Sequence, residues 1–286
     1  MSLINKFDPW NSKLCTCPEK LSLNVYTGCS HSCLYCYSSS YIKNFFRPRV
    51  KKSYLKRLKS EVKKLNKNFT QPISISNSSD PYIQMEKKFK YTRETLKFLE
   101  SHKKLIVTKS DIVKRDIDLL AEKSVVAITI TTLDERISKK IEPNAPKPKN
   151  RLYALKKISD AGIPTVIRID PIIPYLNDSC GILNELIEKA YNSGVLHVIS
   201  STYKVRADNF KRMCKAFPEF SEKWYELYFK EGGWIHGSYY LKENLRFEMM
   251  KKVKEISQKF GLTFSCCREG FPFLNSKTCD GSSLLK

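Results

Sequence analysis

No stretch of this sequence approaches the roughly 20 apolar residues that a helix needs to cross a bilayer. The opening MSLINKFDPW lacks the apolar core of a signal peptide. A cytoplasmic protein without a membrane partner is expected. No solenoid-type repeat is visible, and no low-complexity tract apart from Lys-rich helical faces such as KKSYLKRLKSEVKKLNK. Acidic side chains are also short in supply: 29 Asp and Glu face 51 Lys and Arg, a formal net charge of +22. An excess of that size attracts polyanions, which makes nucleic acid the natural candidate partner. Lysines that merely solvate exposed helices give the same composition. What is present is an ordinary globular mixture, 41% hydrophobic and 28% charged over 286 residues. That is too apolar for disorder and long enough for one large α/β barrel.

Short β-branched runs alternate with segments of helical period, the arrangement of repeated βα units. Strands are expected at Leu21 to Tyr26, Ile73 to Ser76, Leu105 to Thr108, Val125 to Thr131, Thr165 to Asp170 and His197 to Ser200. Helices are expected at Ser53 to Asn66, Thr92 to Ser101, Ile112 to Glu122, Leu152 to Ala161 and Leu183 to Asn192, with Gly162 and Gly194 capping the last two. The fold class that follows is α/β, a partial (β/α)6 TIM-like barrel spanning 21–202 and open on one side. An extension over 1–20 carries Cys15 and Cys17. A helical, aromatic-rich extension over 203–286 carries Cys266, Cys267 and Cys279. The proline-rich EPNAPKPKN, Glu142 to Asn150, reads as a loop and not as a domain boundary.

Ten cysteines in a chain this large, grouped and without an export signal, point to metal or cluster ligation ahead of disulfides. Cys180 and Cys214 stand alone and read as structural thiols. The informative group is Cys29-Ser-His-Ser-Cys33-Leu-Tyr-Cys36, a C-x3-C-x2-C loop directly after the first strand. Three thiolates hold three irons of a cubane, whereas an electron-transfer cluster usually takes four cysteines. The fourth iron is then open to an external ligand. A zinc site using His31 is the weaker alternative, because His31 lies between two of the cysteines where zinc sites use separated ligand pairs. A ferredoxin-like loop is the other.

This motif, together with SNSSDPYIQMEKKFKYTRETLKFLE, VTKSDIVKRDIDLL, ITITTLDE with IEP, and RIDPIIP, resembles the radical S-adenosylmethionine (SAM) superfamily. The narrower resemblance is to the branch related to spore photoproduct lyase, and it covers most of the chain. It implies a [4Fe-4S] cluster on Cys29, Cys33 and Cys36, with SAM on the open iron. One electron then splits a carbon–sulfur bond to give a 5'-deoxyadenosyl radical. A ferredoxin or flavodoxin is the implied electron donor. Residue by residue, the resemblance puts Tyr35 beside the adenine and Ser78, Ser79 and Asp80 at the methionine amino group. It puts Lys109 at the methionine carboxylate and Thr129 and Thr131 at the ribose, with Arg168 and Asp170 as further candidates for contact. Asp80 before Pro81 also reads as a plain turn, and Arg168 with Asp170 as a buried pair. One position departs from the branch. Spore photoproduct lyases carry a hydrogen-donating cysteine just before the segment matching Ser78 to Asp80, and here that position is Asn77. No repair of the spore thymine lesion by that route is expected.

Cys15 and Cys17 near one end, and Cys266, Cys267 and Cys279 near the other, supply enough thiols for a second [4Fe-4S] cluster if the chain ends meet. Structural thiols, or a redox-active Cys266–Cys267 pair, are the alternatives. Downstream aromatics, Phe217, Phe220, Trp224, Tyr225, Tyr228, Phe229, Trp234, Tyr239 and Tyr240, are interleaved with Arg206, Lys211, Arg212, Lys215, Lys223 and Lys230. Such a mixture stacks on bases and meets phosphates, or simply packs as core. Three functions remain open: radical chemistry on DNA or RNA, radical modification of a peptide or small metabolite, and a non-catalytic iron–sulfur protein that binds nucleic acid.

Overall fold

The computed structural model describes residues 2–8, 12–65, 69–120 and 123–285. Among the described residues the strands are β1 (Ile4–Lys6), β2 (Leu21–Leu23), β3 (Tyr26–Thr27), β4 (Arg49–Val50), β5 (Ile73–Ile75), β6 (Lys104–Thr108), β7 (Ser124–Thr129), β8 (Thr165–Ile172), β9 (His197–Thr202), β10 (Gly233–Ile235), β11 (Ser238–Tyr240) and β12 (Thr263–Cys266). The helices are α1 (Tyr54–Lys64), α2 (Glu86–Phe89), α3 (Tyr91–Phe98), α4 (Ile117–Leu120), α5 (Glu135–Ile141), α6 (Pro148–Asp160), α7 (Cys180–Tyr191), α8 (Ala207–Ala216), α9 (Ser221–Tyr225) and α10 (Glu243–Lys259).

One sheet runs β1-β2-β5-β6-β7-β8-β9-β12, parallel throughout except for β1 on the edge. Its central strands are buried on both faces, as βα crossovers require, and this explains their unbroken apolar, β-branched sequences. Helix starts follow local chemistry. Pro148 opens α6, where a missing N–H costs nothing, and Asp134 and Ser179 accept backbone N–H groups to cap α5 and α7. Gly162 and Gly194 take the left-handed φ expected of caps.

The six expected strands are the parallel core of this sheet. The segment after Thr202 departs from the helical extension expected there. Its β12 continues the sheet as a seventh parallel strand, and β10 with β11 forms a hairpin. The strand was hidden because TFSC is short and half polar. Alternation turns Phe264 and Cys266 outward to the helices and Cys267 inward, with Leu105, Val125, Ala127, Val166 and Ile199. The helix ends expected at Asn66 and Glu122 lie outside the described residues. The open side of the barrel is spanned by the C-terminal tail: Leu284 and Leu285 pack inside, Lys20 pairs with Asp280, and Asn275 reaches Thr16.

Candidate cluster and cofactor site

The C-x3-C-x2-C loop leaves β3 through Gly28 at φ +84, where a Cβ would lie 2.4 Å from the carbonyl oxygen of Phe45. Only glycine fits there. The loop's backbone is then tied to distant elements. Cys29 N–H donates to Phe45 O at 2.8 Å and Leu34 N–H to Ile141 O at 2.8 Å. Asn144 Nδ2 donates to Ser30 O at 3.0 Å, and Asn209 Nδ2 to Tyr35 O at 3.1 Å. Arg212 on α8 donates to Leu34 O at 3.0 Å and Cys36 O at 3.1 Å, and is itself held by Asp208. With its polar groups engaged, the loop presents three thiols to one cavity of about 590 Å³, lined also by Tyr35, Ser78, Ser79, Asp80, Lys109 and Thr129.

Asp80 knits this wall together. Its carboxylate accepts from Lys109 N–H at 2.6 Å, Thr108 Oγ1 at 2.7 Å and Tyr82 N–H at 2.8 Å. His31 Nε2 lies 3.3 Å away, close enough for an ion pair though not aligned as a hydrogen bond. Burial alone would raise Asp80, yet His31 and these donors hold it below the usual carboxylate range. The turn-forming reading of Asp80 therefore describes its carboxylate best, while Ser78 and Ser79 line the cavity beside it. Behind the loop, Tyr35 donates its hydroxyl to Glu142, which pairs with Arg151 at 2.6 Å. Burial pushes Glu142 up, but Arg151, Lys109 and Tyr35 outweigh it and leave a buried carboxylate. Lys109 Nζ sits 5.5 Å from the Tyr35 ring centroid. Burial works against its charge, but Cys33, Glu142 and Asp170 raise its pKa. Burial, aided by the Asp80 charge, pushes the Cys29 thiol up to about 12, and burial likewise raises Cys33 and Cys36.

Two expected contacts fall elsewhere. Thr131 lies past the end of β7 with its hydroxyl 3.4 Å from Glu142 Oε1, outside the cavity lining. Arg168 is paired with Asp170 at 2.6 Å and lines a second, adjoining cavity. In the sequence Glu142 stands out only within IEP and the proline-rich loop, and Arg151, Asn209 and the anchoring role of Arg212 carry no signal. These residues act across up to 178 positions, so no local pattern marks them. Three nearby thiols at the C-terminal mouth of a parallel barrel, beside a lysine and hydroxyls, fit a three-cysteine cubane with room for an organic ligand.

A family model described as the radical SAM superfamily matches residues 23–187. The chain belongs to that superfamily, whose members are enzymes that use a [4Fe-4S] cluster and SAM. An uncharacterized protein of Methanocaldococcus jannaschii is 37% identical over 58% of this chain, which spans 65% of that relative's length. An uncharacterized protein of Mycobacterium tuberculosis is 26% identical, covering 78% of this chain and 71% of its own. Among solved structures, a variant of spore photoproduct lyase with bound AdoMet and dinucleoside spore photoproduct aligns with a TM-score of 0.64. That match is 14% identical and covers 90% of this chain and 79% of the lyase. At that identity the likeness speaks for the fold.

Proposed function

We propose that this chain reductively cleaves SAM and uses the product to abstract hydrogen from a nucleic acid base. In this reading Cys29, Cys33 and Cys36 hold the cluster, which when bound supplies the electron for cleavage. Lys109 meets the methionine carboxylate, and Ser78 and Ser79 border the amino group. Tyr35, fixed by Glu142, and Thr129 flank the adenosine. Asp80 acts as a positioning residue, clamping the β5 and β6 ends to His31 in the cluster loop. The observation that carries the substrate class is the β10–β11 hairpin. Trp234 at 60% exposure and Tyr225 at 49% form an aromatic strip with Phe229 and Tyr239. Trp234 shares a surface cleft with Arg206 and with Ser39 and Ser40, which follow the cluster loop. Exposed rings beside cations, on a chain of net charge +22, suit an unstacked base on a phosphate backbone. The dinucleoside bound by the lyase with the same fold supports the same class.

Asn77 is tied between Ser74 and Ser22, with no thiol at that position, so the lesion is expected to differ from the spore photoproduct. A small electron carrier such as a flavodoxin or ferredoxin supplies the reductant. Among the described residues no helix is long and apolar enough to cross a membrane, in keeping with work in the cytoplasm. The test is anaerobic reconstitution with dithionite and SAM, followed by 5'-deoxyadenosine measured with and without nucleic acid. Formation that is lost in Cys33→Ala and stimulated by nucleic acid supports the reading. Formation without stimulation moves the substrate to a peptide or metabolite, and none from a loaded protein leaves a binding protein.

A further inference from the structure

Four thiols outside the cluster loop meet at the second cavity, of about 850 Å³, which shares Ser76, Asn77, Ser78 and Val107 with the first. They come from three places in the chain. Cys15 and Cys17 lie between β1 and β2, Cys267 directly follows β12, and Cys279 lies in the tail. The Cys279 thiol donates to Cys17 Sγ at 3.2 Å, and Cys15 and Cys267 line the same cavity beside them. The strand alternation that turns Cys267 inward sends its neighbour Cys266 the other way. There its thiol is 3.3 Å from both Phe271 O and Asn275 Oδ1. The fold holds this group deliberately in place: Lys20, with its side chain 3% exposed, pairs with Asp280 and joins the two ends of the chain beside Cys17.

Among the described residues no three Cys, His, Asp or Glu side chains converge on one point, as the ligands of a single tetrahedral ion do. The four thiols line one cavity, and four cysteines from three parts of the chain are the donor set a [4Fe-4S] cluster takes. Lys20, Arg168 and Arg268 line the same cavity and oppose the negative charge that four thiolates bring. We propose that Cys15, Cys17, Cys267 and Cys279 ligate a second [4Fe-4S] cluster, in the cavity that adjoins the first. With a cysteine on every iron it has no open position for SAM, so its role is that of an electron carrier facing the substrate space.

The proposal goes beyond the function above and is tested without any substrate, by iron, acid-labile sulfide and zinc analysis with Mössbauer spectra. The wild type is expected to hold about eight iron and eight sulfide per chain, and the Cys29/Cys33/Cys36→Ala triple variant about four of each. Should the triple variant not fold, Cys17→Ser/Cys279→Ser in the wild-type background gives the complementary loss, from about eight iron to about four. Cys266→Ala keeps the full complement. About four iron in the wild type, zinc in place of the second iron set, or a Cys17–Cys279 disulfide in the anaerobically prepared protein overturns the proposal.

Discussion

Replacing Asp80 with Asn tests whether one carboxylate joins the cluster loop to the barrel. The substitution keeps the shape and one acceptor oxygen. With that oxygen facing Tyr82 N–H and Thr108, the new amide points its N–H groups at Lys109 N–H, now 2.6 Å from an oxygen. One charge-assisted hydrogen bond is lost, worth roughly 1.5–3 kcal/mol, and a buried donor is left facing another donor. Turning the amide over restores Lys109 but abandons two bonds on the other side. Either way the cost is about 3 kcal/mol. The contact with His31, 3.3 Å away, weakens as well, so the cysteine loop loses its tie to β5. Urea unfolding of the metal-free protein, followed by circular dichroism, reads the stability change. Iron retained on a desalting column reads the loop. A stability within about 0.5 kcal/mol of wild type, with iron fully retained, would refute the reasoning.

Glu142→Gln leaves Arg151 buried beside a neutral amide, and breaking such a pair costs about 3–5 kcal/mol in thermal or denaturant unfolding. His197, fully buried on β9, has its pKa lowered by burial to about 4. The unfolded chain takes up this proton near 6.5, so stability is lost as pH falls from about 6.5 to 4, by up to about 3 kcal/mol, and no further below. His197→Gln should remove that slope from the difference between the two unfolding profiles. Trp234→Ala should weaken single-stranded nucleic-acid binding by about 1–3 kcal/mol, roughly 5- to 150-fold, while leaving the melting temperature unchanged. Fluorescence anisotropy over a salt series measures it, and binding by the wild type itself should fall steeply with salt.

The barrel was legible because its strands are buried on two faces and announce themselves as β-branched runs. The cysteine loop was legible because three thiols fall within eight residues. The β10–β11 hairpin carried a signal that was passed over. His236 and Gly237 form a two-residue turn with φ +43 and +85, the left-handed pair that such hairpins favour, and the β11 residues after it alternate in burial. Trp224 and Tyr228, by contrast, are fully buried, and Trp224 Nε1 donates to Pro174 O at 3.0 Å. For them the helical spacing meant core. Arg212 was weighed as a phosphate contact, yet it spends its donors on the carbonyls of the cluster loop. Nothing local distinguishes a cation that meets solvent from one that meets a backbone nearly 180 positions away.

The buried charges around the first site are compensated within the protein itself. Glu142 is balanced by Arg151 and Asp80 is saturated by its donors, so the carboxylates need nothing from a cluster. The thiols, pushed upward by burial, stay protonated and behave as small apolar side chains within the core. Thiolate is the ligand form, so in the proposed site iron would displace one proton from each of Cys29, Cys33 and Cys36, and metal affinity would carry that cost. Lys109 reduces it: its ammonium lowers the pKa of Cys33 and Cys36, against the larger effect of burial. The lysine proposed to meet the SAM carboxylate thus has a second task, favouring the charged state of Cys33 and Cys36. Its removal should therefore weaken cluster retention as well as SAM binding.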